Sequence, residues 1–432
     1  MNHWLLSVLL AGSLVANARA QTPNPETRWK QNQFLITFWC PPPATDEALT
    51  RVAAEGFNLT WTPPEGLDVA ARHNLRAMLQ SPLLQPEVLD DAGKRAELDA
   101  LLARVKNHPA LEAYHLTDEP GAGAFPGWAR LVAYLRERDP AHLAYINLFP
   151  TYANEQQLGV SADAAERAKV GYPTDFAGVD TGDQTVLRYR EHLKQFIATV
   201  HPDLISYDHY HFLKDANGLP RDGKQYFLNL GLIRLAAREA GQPFLNIIQA
   251  NTIEKSWRLP NAAELRWLVF TTMAYGGRGI SYFTYWGPKA YNGLYQDGQA
   301  MPLLQPVVVL NREIAKFGPA LMELESLGAY HTAPLPYGAE AMPNPGSVQM
   351  ASAGEFVLGV FGRNGRPSAF MIVNRDYRQP QTATVRVMIP GQHLQELDRK
   401  TGEWTRGNPL NTRRTLKLKL APGDGRLFRV TP

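Results

Sequence analysis

The chain of 432 residues contains a single cysteine, Cys40. It therefore cannot form an intramolecular disulfide, and a structural zinc site built from several cysteines is excluded. Stability must come from a hydrophobic core. A chain of this length, with 44% hydrophobic and 20% charged residues, can form such a core as one large domain with a smaller one.

The sequence also lacks a large excess of charge of either sign. The sequence has 44 basic and 41 acidic residues, for a formal net charge of +3. No basic run and no stripe of basic and aromatic residues stands out. We therefore expect neither nucleic acid nor an anionic membrane surface among the partners of this protein.

Long apolar runs are limited to the N-terminus. Residues 4–16 are apolar and precede Ala18-Arg19-Ala20, an A-x-A cleavage pattern. This pattern predicts a signal peptide over residues 1–20, with cleavage before Gln21, and hence a secreted or periplasmic protein. A buried N-terminal helix or a membrane anchor is the alternative, although the run is too short to span a bilayer comfortably. No later segment is apolar and long enough to cross a membrane.

Short apolar segments alternate with helical stretches between about residues 33 and 290. This alternation predicts parallel strands joined by crossover helices. We count eight such segments, the number that closes a (β/α)₈ TIM barrel: 34–43, 57–64, 75–82, 111–121, 143–152, 204–212, 243–251 and 280–288. The alternative, a doubly wound open sheet, usually has a glycine-rich phosphate turn after its first strand. Here that turn is Cys-Pro-Pro-Pro.

The pattern changes after about residue 330 to alternating strands such as EFVLGVFG and TATVRVMI. Such strands are typical of a small antiparallel β-sandwich. We therefore predict an α/β protein with a catalytic (β/α)₈ barrel over residues 21–329 and a C-terminal β-sandwich over residues 330–432.

The carboxyl ends of the eight strands carry carboxylates, amides and aromatic rings, and this is where TIM barrels place their active sites. Glycoside hydrolysis requires one carboxylic acid and usually a second carboxylate. Aromatic rings stack on the apolar faces of sugars, and amides hold the hydroxyls. A single aromatic residue is more often part of a core, but three strand-end tryptophans favour a sugar site. The strand-end candidates are Trp39, Trp61, Asp118, Glu119, Asn147, Asp208, Tyr210, Gln249 and Trp286.

The triplet Asp118-Glu119-Pro120 resembles the NEP/DEP motif of clan A-type glycoside hydrolases. The run ELRWLVFTTMAYGGRGISYFTYWGP is similar to the helix 7–strand 8 region of their β-galactosidase-like members, and DGQAMPLLQPVVVLNREIAKFGPAL is similar to their closing helix. The resemblance extends over residues 33–327. It implies a glycosidase in which Glu119 is the acid/base, Asp118 takes the place of a sugar-binding Asn, and Trp286 forms the floor of the pocket.

One departure from that family concerns the nucleophile. Clan A enzymes carry a nucleophilic Glu at the end of strand 7, where this chain has Gln249, and an amide cannot replace a carboxylate there. Asp208 and Glu254 are the nearby acids. We favour Asp208 because strand ends are held better than loops, although it can also be a structural acid paired with a histidine. The ends of strands 4 and 6 should lie roughly 9 Å apart, which favours an inverting mechanism, whereas Glu254 would restore a retaining distance.

The sequence therefore predicts an exported glycoside hydrolase that acts on an oligo- or polysaccharide. Glu119 is the acid, with Asp208 or Glu254 as the second carboxylate. His209 and His211 flank Asp208, but they lack a convincing third ligand for a metal, and no cofactor is implied. A non-catalytic carbohydrate-binding barrel is the alternative. The residues predicted to bind sugar are Asp118, Trp39, Trp61, Asn147, Tyr210, Gln249 and Trp286.

Overall fold

A computed structural model describes residues 28–161, 163–164, 176–180, 182–253, 255–287 and 291–432. The predicted signal peptide and Glu254, one of the two acids predicted as a second carboxylate, lie outside the described residues.

Eight parallel strands form the first sheet. They are β1 Leu35–Phe38, β2 Leu59–Thr62, β3 Arg76–Leu79, β4 Leu111–Asp118, β5 Leu143–Leu148, β6 Ile205–Asp208, β7 Phe244–Gln249 and β8 Gly279–Phe283. Their order in the sheet is β1-β8-β7-β6-β5-β4-β3-β2, so that each strand lies beside its neighbour in the sequence and β8 returns to β1. The predicted (β/α)₈ barrel is confirmed.

Helices cover the outside of this barrel. They are α1 Asp46–Ala54, α2 Leu67–Arg72, α3 Ala92–Val105, α4 Phe125–Arg138, α5 Glu155–Leu158, α6 Gln184–Val200, α7 Tyr226–Ala240, α8 Ala262–Ala274 and α9 Leu304–Met322. Polar side chains fix several of their starts. Asp91 and Asp183 accept backbone N–H bonds at the starts of α3 and α6, and Asn261 forms a capping box with Glu264 at the start of α8. One face of each barrel strand packs against helices, and the other face points into the barrel interior. Most strand residues are therefore buried, and the strands appear in the sequence as continuous apolar runs.

The barrel closes between β1 and β2 through Asn58. Its backbone N–H donates to the carbonyl of Ile36 at 3.1 Å. Its side-chain oxygen accepts from the Ile36 N–H, and its Nδ2 donates to the Phe34 carbonyl, both at 2.8 Å. The amide side chain thus supplies hydrogen bonds that a longer β2 would have made from its backbone.

We expect Asn58→Leu to lower the free energy of unfolding by about 1–3 kcal/mol, because an N–H and a carbonyl of the first strand lose their partner. Urea unfolding measures the difference. Asn107→Leu is a matched control, since Asn107 is exposed in the loop after α3. Equal effects of the two substitutions would show that Asn58 does not close the barrel.

The C-terminal strands form two antiparallel sheets, as predicted for a β-sandwich. Their bounds are β9 Glu325–His331, β10 Val348–Met350, β11 Phe356–Arg363, β12 Arg366–Asn374, β13 Gln381–Val387, β14 His393–Glu396, β15 Asn408–Pro409, β16 Thr415–Leu420 and β17 Gly425–Thr431. One sheet has the order β9-β11-β12-β17-β14-β15 and the other β10-β13-β16. Buried side chains such as Phe370, Val385 and Leu418 pack between them.

The sandwich packs against the outside of the barrel at helix α8. Trp267 of this helix meets Tyr377 with ring centroids 5.4 Å apart. Tyr377 and Arg378 both donate hydrogen bonds to Asp222, which belongs to a short hairpin after β6 formed by Phe212–Lys214 and Pro220–Asp222. A second short hairpin, Tyr295–Gln296 with Gln299–Ala300, follows β8. None of the described helices is long and apolar enough to span a membrane.

Candidate active site

A cavity of about 290 Å³ lies at the carboxyl ends of the barrel strands. Its described lining combines carboxylates, two amide side chains and aromatic rings. Every described lining residue precedes the C-terminal sandwich. The lining residues are Trp39, Asp118, Glu119, Asn147, Phe149, Pro150, Tyr152, Ala153, Gln157, Asp208, Tyr210, Ile247, Trp257 and Phe283. Of the residues predicted at this site, the cavity brings together Glu119, Asp208, Asp118, Asn147, Trp39 and Tyr210.

Glu119 reaches this cavity through an unusual backbone conformation. Neighbouring residues of a strand point to opposite faces, yet both Asp118 and Glu119 line the cavity. Glu119 has φ +46°, in the left-handed region that non-glycine residues rarely adopt. Its N–H donates to the Asn147 carbonyl at 2.9 Å, which holds this conformation. Two consecutive acids therefore lie in the same cavity.

Asn147 bridges two of the carboxylates. Its Nδ2 donates to Oδ1 of Asp118 at 3.0 Å and to Oδ1 of Asp208 at 2.9 Å. Its Oδ1 accepts from the Ser206 hydroxyl at 3.0 Å, and Ser206 also bonds the Tyr145 hydroxyl at 2.8 Å. The bond from Ser206 fixes the orientation of the amide, so that its two N–H groups face the acids. All five residues belong to β4, β5 and β6.

Glu119 and Asp208 share a hydrogen bond. Burial, and after it the negative charge of Asp118, raise the pKa of Glu119 to about 7, while the bond with Asp208 acts in the opposite direction. Complete burial holds the pKa of Asp208 well above its usual range, and the charges of Glu119 and Asp118 add to this. Two carboxyls in contact cannot both ionise easily, so we expect the pair to hold one shared proton near neutral pH.

This contact is shorter than the strand count suggested. Retaining enzymes hold their two carboxyls about 5–5.5 Å apart and inverting enzymes about 6.5–9.5 Å apart. A hydrogen bond between Glu119 and Asp208 requires a separation well below the roughly 9 Å expected from the strand ends. The spacing of strand ends predicted a gap that favours inversion, whereas Glu119, whose backbone is left-handed, contacts Asp208.

An aromatic wall is the second feature of the cavity, and we define it as Trp39, Tyr210, Trp257 and Phe283. The ring centroids of Tyr210 and Trp257 lie 4.2 Å apart, those of Tyr210 and Phe283 5.3 Å, and those of Trp39 and Phe283 6.5 Å. Trp257 and Phe283 were not predicted. Phe283 is the last residue of β8 and could have been found from that position, whereas Trp257 lies in the loop after β7 and gave no signal.

Two predicted tryptophans lie outside the lining. Trp61 is buried below Trp39, with ring centroids 4.8 Å apart, and packs on His115 at 4.5 Å. Trp286 follows the end of β8. Its backbone N–H donates to the Cys40 carbonyl, and its ring stacks on Tyr295 with centroids 5.8 Å apart. Phe283, the last residue of β8, lines the cavity, whereas Trp286, three residues later, is not among the lining residues.

Gln249 also lies outside the lining. It is completely buried, and its amide bonds to backbone groups. Its Oε1 accepts from the Phe212 N–H, and its Nε2 donates to the carbonyls of Phe212 and Arg258, each at 2.9 Å. Ile247, two residues earlier on the same strand, lines the cavity instead. Gln249 thus ties together the two loops that carry Tyr210 and Trp257.

We expect Gln249→Glu to destabilise the protein by about 1–3 kcal/mol at neutral pH, because a carboxylate cannot donate to two carbonyls. Burial beside carbonyls raises the folded-state pKa of the new acid above its unfolded value. The loss is therefore smallest below the unfolded pKa of about 4.3 and grows as the pH rises toward the folded pKa. Urea unfolding between pH 4 and 8 measures it, with the exposed Gln392→Glu as control. A loss that does not change with pH would contradict this role.

The histidines beside Asp208 are buried and engaged in packing. His209 Nδ1 bonds Oδ1 of Asn229 at 2.9 Å, and His211 packs on Trp267 with centroids 4.9 Å apart. Burial lowers the pKa of His209 to about 4 and that of His211 to about 3. Within the described parts of the chain, no group of three His, Cys, Asp or Glu side chains is placed to hold a metal ion.

No protein-family model and no curated protein matches the chain. Among solved structures, it is similar to a family 39 glycoside hydrolase from the gut symbiont Bacteroides cellulosilyticus WH2, with 11% identity, a TM-score of 0.46, and coverage of 92% of this chain and 81% of that one. It is also similar to a family 44 xyloglucanase from Paenibacillus polymyxa, with 9% identity, a TM-score of 0.40, and coverage of 85% and 83%. Likenesses this weak identify no family, and the function proposed next rests on the side chains of the cavity.

Proposed function

We propose that the chain is a glycoside hydrolase whose general acid is Glu119, and, from residues 1–20 of the sequence, that it is exported. The observation that carries the proposal is a cluster of three carboxylates facing an aromatic wall in one cavity at the carboxyl end of the barrel. A sugar ring has apolar faces that stack on aromatic rings and hydroxyls that bond carboxylates and amides. The cavity presents both kinds of surface at once.

The state of Glu119 suits an acid catalyst. A carboxyl with a pKa of about 7 still carries its proton in much of the population at neutral pH, and can pass it to a leaving oxygen. Asp208, buried beneath it, is the partner that shares this proton. Asp118, Asn147, Tyr210 and Trp39 would bind the sugar, together with Trp257 and Phe283.

A carbohydrate-binding protein without activity is the second candidate, because Ile247 and Gln249 occupy the strand that carries a nucleophilic Glu in the enzymes it resembles. Binding alone does not require an acid with a raised pKa in contact with a second carboxyl. For this reason we favour the enzyme.

The test is a screen of the purified protein on aryl glycosides and on plant and microbial glycans, with Glu119→Gln in parallel and binding followed by calorimetry. Hydrolysis by the native protein that the variant has lost supports the proposal. Binding of a glycan without hydrolysis would replace it by the binding function, and neither binding nor hydrolysis would overturn both.

A further inference from the structure

We propose that the substrate is a glycoside of a 2-acetamido sugar, and that the amide oxygen of this sugar, rather than a protein carboxylate, attacks the anomeric carbon. This inference rests on the glycosidase function proposed above and adds a substrate class to it. Four features of the cavity support it. They are the apolar surface of strand β7, the hydrogen bonds that occupy Asp208, the exposure of Asp118 in the cavity, and the hydroxyl of Tyr152.

Strand β7 offers an aliphatic surface where a two-carboxylate retaining enzyme needs its nucleophile. Ile247 is the residue of this strand that lines the cavity, and the Gln249 amide is fully used by the backbone of Phe212 and Arg258. Among the described residues, the carboxylates that line the cavity come from the ends of β4 and β6 alone. Retention of configuration without a protein nucleophile requires a neighbouring group on the substrate.

Asp208 is poorly placed to be that nucleophile. Its side chain is buried, its Oδ1 accepts from Asn147 at 2.9 Å, and it shares a hydrogen bond with Glu119. Attack on a sugar would break both interactions and leave Glu119 without its proton partner. Its position suits a positioning residue for Glu119 better.

Asp118 and Glu119 are arranged for two simultaneous tasks. Asp118 is exposed and lines the cavity, Asn147 donates to its Oδ1, and no described residue donates to its Oδ2. This oxygen can accept the N–H of a 2-acetamido group while Glu119, the next residue, protonates the glycosidic oxygen. A hydrogen bond from the amide N–H to a carboxylate increases electron density on the amide oxygen and so its nucleophilicity.

The rest of the cavity suits the acetyl group. Ile247, Phe283 and Trp39 give apolar surface for a methyl group. The Tyr152 hydroxyl accepts from the Tyr210 N–H at 3.4 Å, which leaves its own proton to donate to an amide oxygen. Tyr152 lines the cavity and is 48% exposed, so its hydroxyl is accessible to a ligand there.

The reaction then balances without any further reactant. The bond between C1 and the leaving oxygen breaks, and that oxygen takes the proton of Glu119. The amide oxygen bonds to C1 and forms a cyclic oxazolinium ion, whose N–H remains bonded to Asp118. Water then attacks C1 and gives a proton to Glu119. The bond between C1 and the former amide oxygen breaks, which restores the acetamide. Because the amide must attack from the face opposite the leaving group, only 1,2-trans glycosides react, with retained configuration.

The experiment compares aryl 1,2-trans glycosides that carry a 2-acetamido or a 2-hydroxy group, and then replaces acetyl by mono-, di- and trifluoroacetyl. We expect hydrolysis of the acetamido substrate, and a fall in kcat/KM of roughly two orders of magnitude across the fluorinated series, because fluorine withdraws electrons from the attacking oxygen. A 1,2-trans thiazoline, which mimics the cyclic ion, is expected to inhibit the native protein competitively. Asp118→Asn is expected to weaken that inhibition, since the amide cannot stabilise the cation.

The possible outcomes distinguish failure of this inference from failure of the proposed glycosidase function. Hydrolysis of 2-hydroxy glycosides but not of 2-acetamido glycosides overturns the inference and leaves the glycosidase standing. Rates that do not respond to fluorination, or a glycosyl group trapped on any protein carboxylate, overturn it as well. A protein that hydrolyses no glycoside in either set overturns both.

Discussion

Glu119→Gln is expected to abolish nearly all hydrolysis of glycosides with poor leaving groups. General acid catalysis contributes roughly 10²- to 10⁴-fold, and a glutamine has no proton that it can give to a departing oxygen. Substrates with a dinitrophenyl leaving group need no such proton, so their bond cleavage should be affected far less. Binding should persist because the amide keeps the shape of the carboxyl and can still bond Asp208.

The measurement is kcat/KM on a matched pair of substrates with a natural and a dinitrophenyl leaving group. Glu97→Gln is the control, since Glu97 is exposed on helix α3, outside the cavity. A general acid predicts a large loss on the natural leaving group, a small loss on the activated one, and no change in the control. Turnover of the natural glycoside near the native rate by Glu119→Gln would rule out this role.

The barrel was predictable from sequence because its strands are buried on both faces. The apolar run at 34–43 contains β1 at Leu35–Phe38, and the run at 111–121 contains β4 at Leu111–Asp118. Continuous apolar segments bounded by polar residues identify such strands, and the helices between them set the parallel arrangement. The rule that TIM barrels react at the carboxyl ends of their strands then located Glu119, Asp208 and Asn147.

The prediction was weaker wherever a residue's role depends on distant backbone. Gln249 stands at a strand end and was predicted to bind sugar, but the loops after β6 and β7 bring the backbone of Phe212 and Arg258 to its amide. The left-handed conformation of Glu119 has no local sequence signal such as glycine. Glu119 and Asp208 are in contact, a distance that the count of strands, on which the stereochemical prediction rested, did not give.

The pH dependence of activity is the second large effect that the site predicts. The acid must be protonated to act, and the pKa of Glu119 is raised to about 7. Half of the acid is protonated at pH 7 and about 1% at pH 9, so kcat/KM should fall about 50-fold between these two pH values. An acid with the ordinary glutamate pKa of about 4.3 would instead start to lose activity well below neutral pH.

The charge of Asp118 provides a test of the cause. Burial is the larger reason for the raised pKa of Glu119, and the negative charge of Asp118 is the next. A negative neighbour disfavours ionisation, so Asp118→Asn should lower the pKa of Glu119 and move the basic limb of the profile to lower pH, whatever its effect on the maximal rate. The measurement is kcat/KM from pH 4 to 9 for both proteins, because this parameter reports the free enzyme. Asp90→Asn, which removes an exposed carboxylate paired with Arg130 outside the cavity, should leave the limb in place. A basic limb that stays unmoved in Asp118→Asn, or moves to higher pH, would show that Glu119 is not the group that titrates.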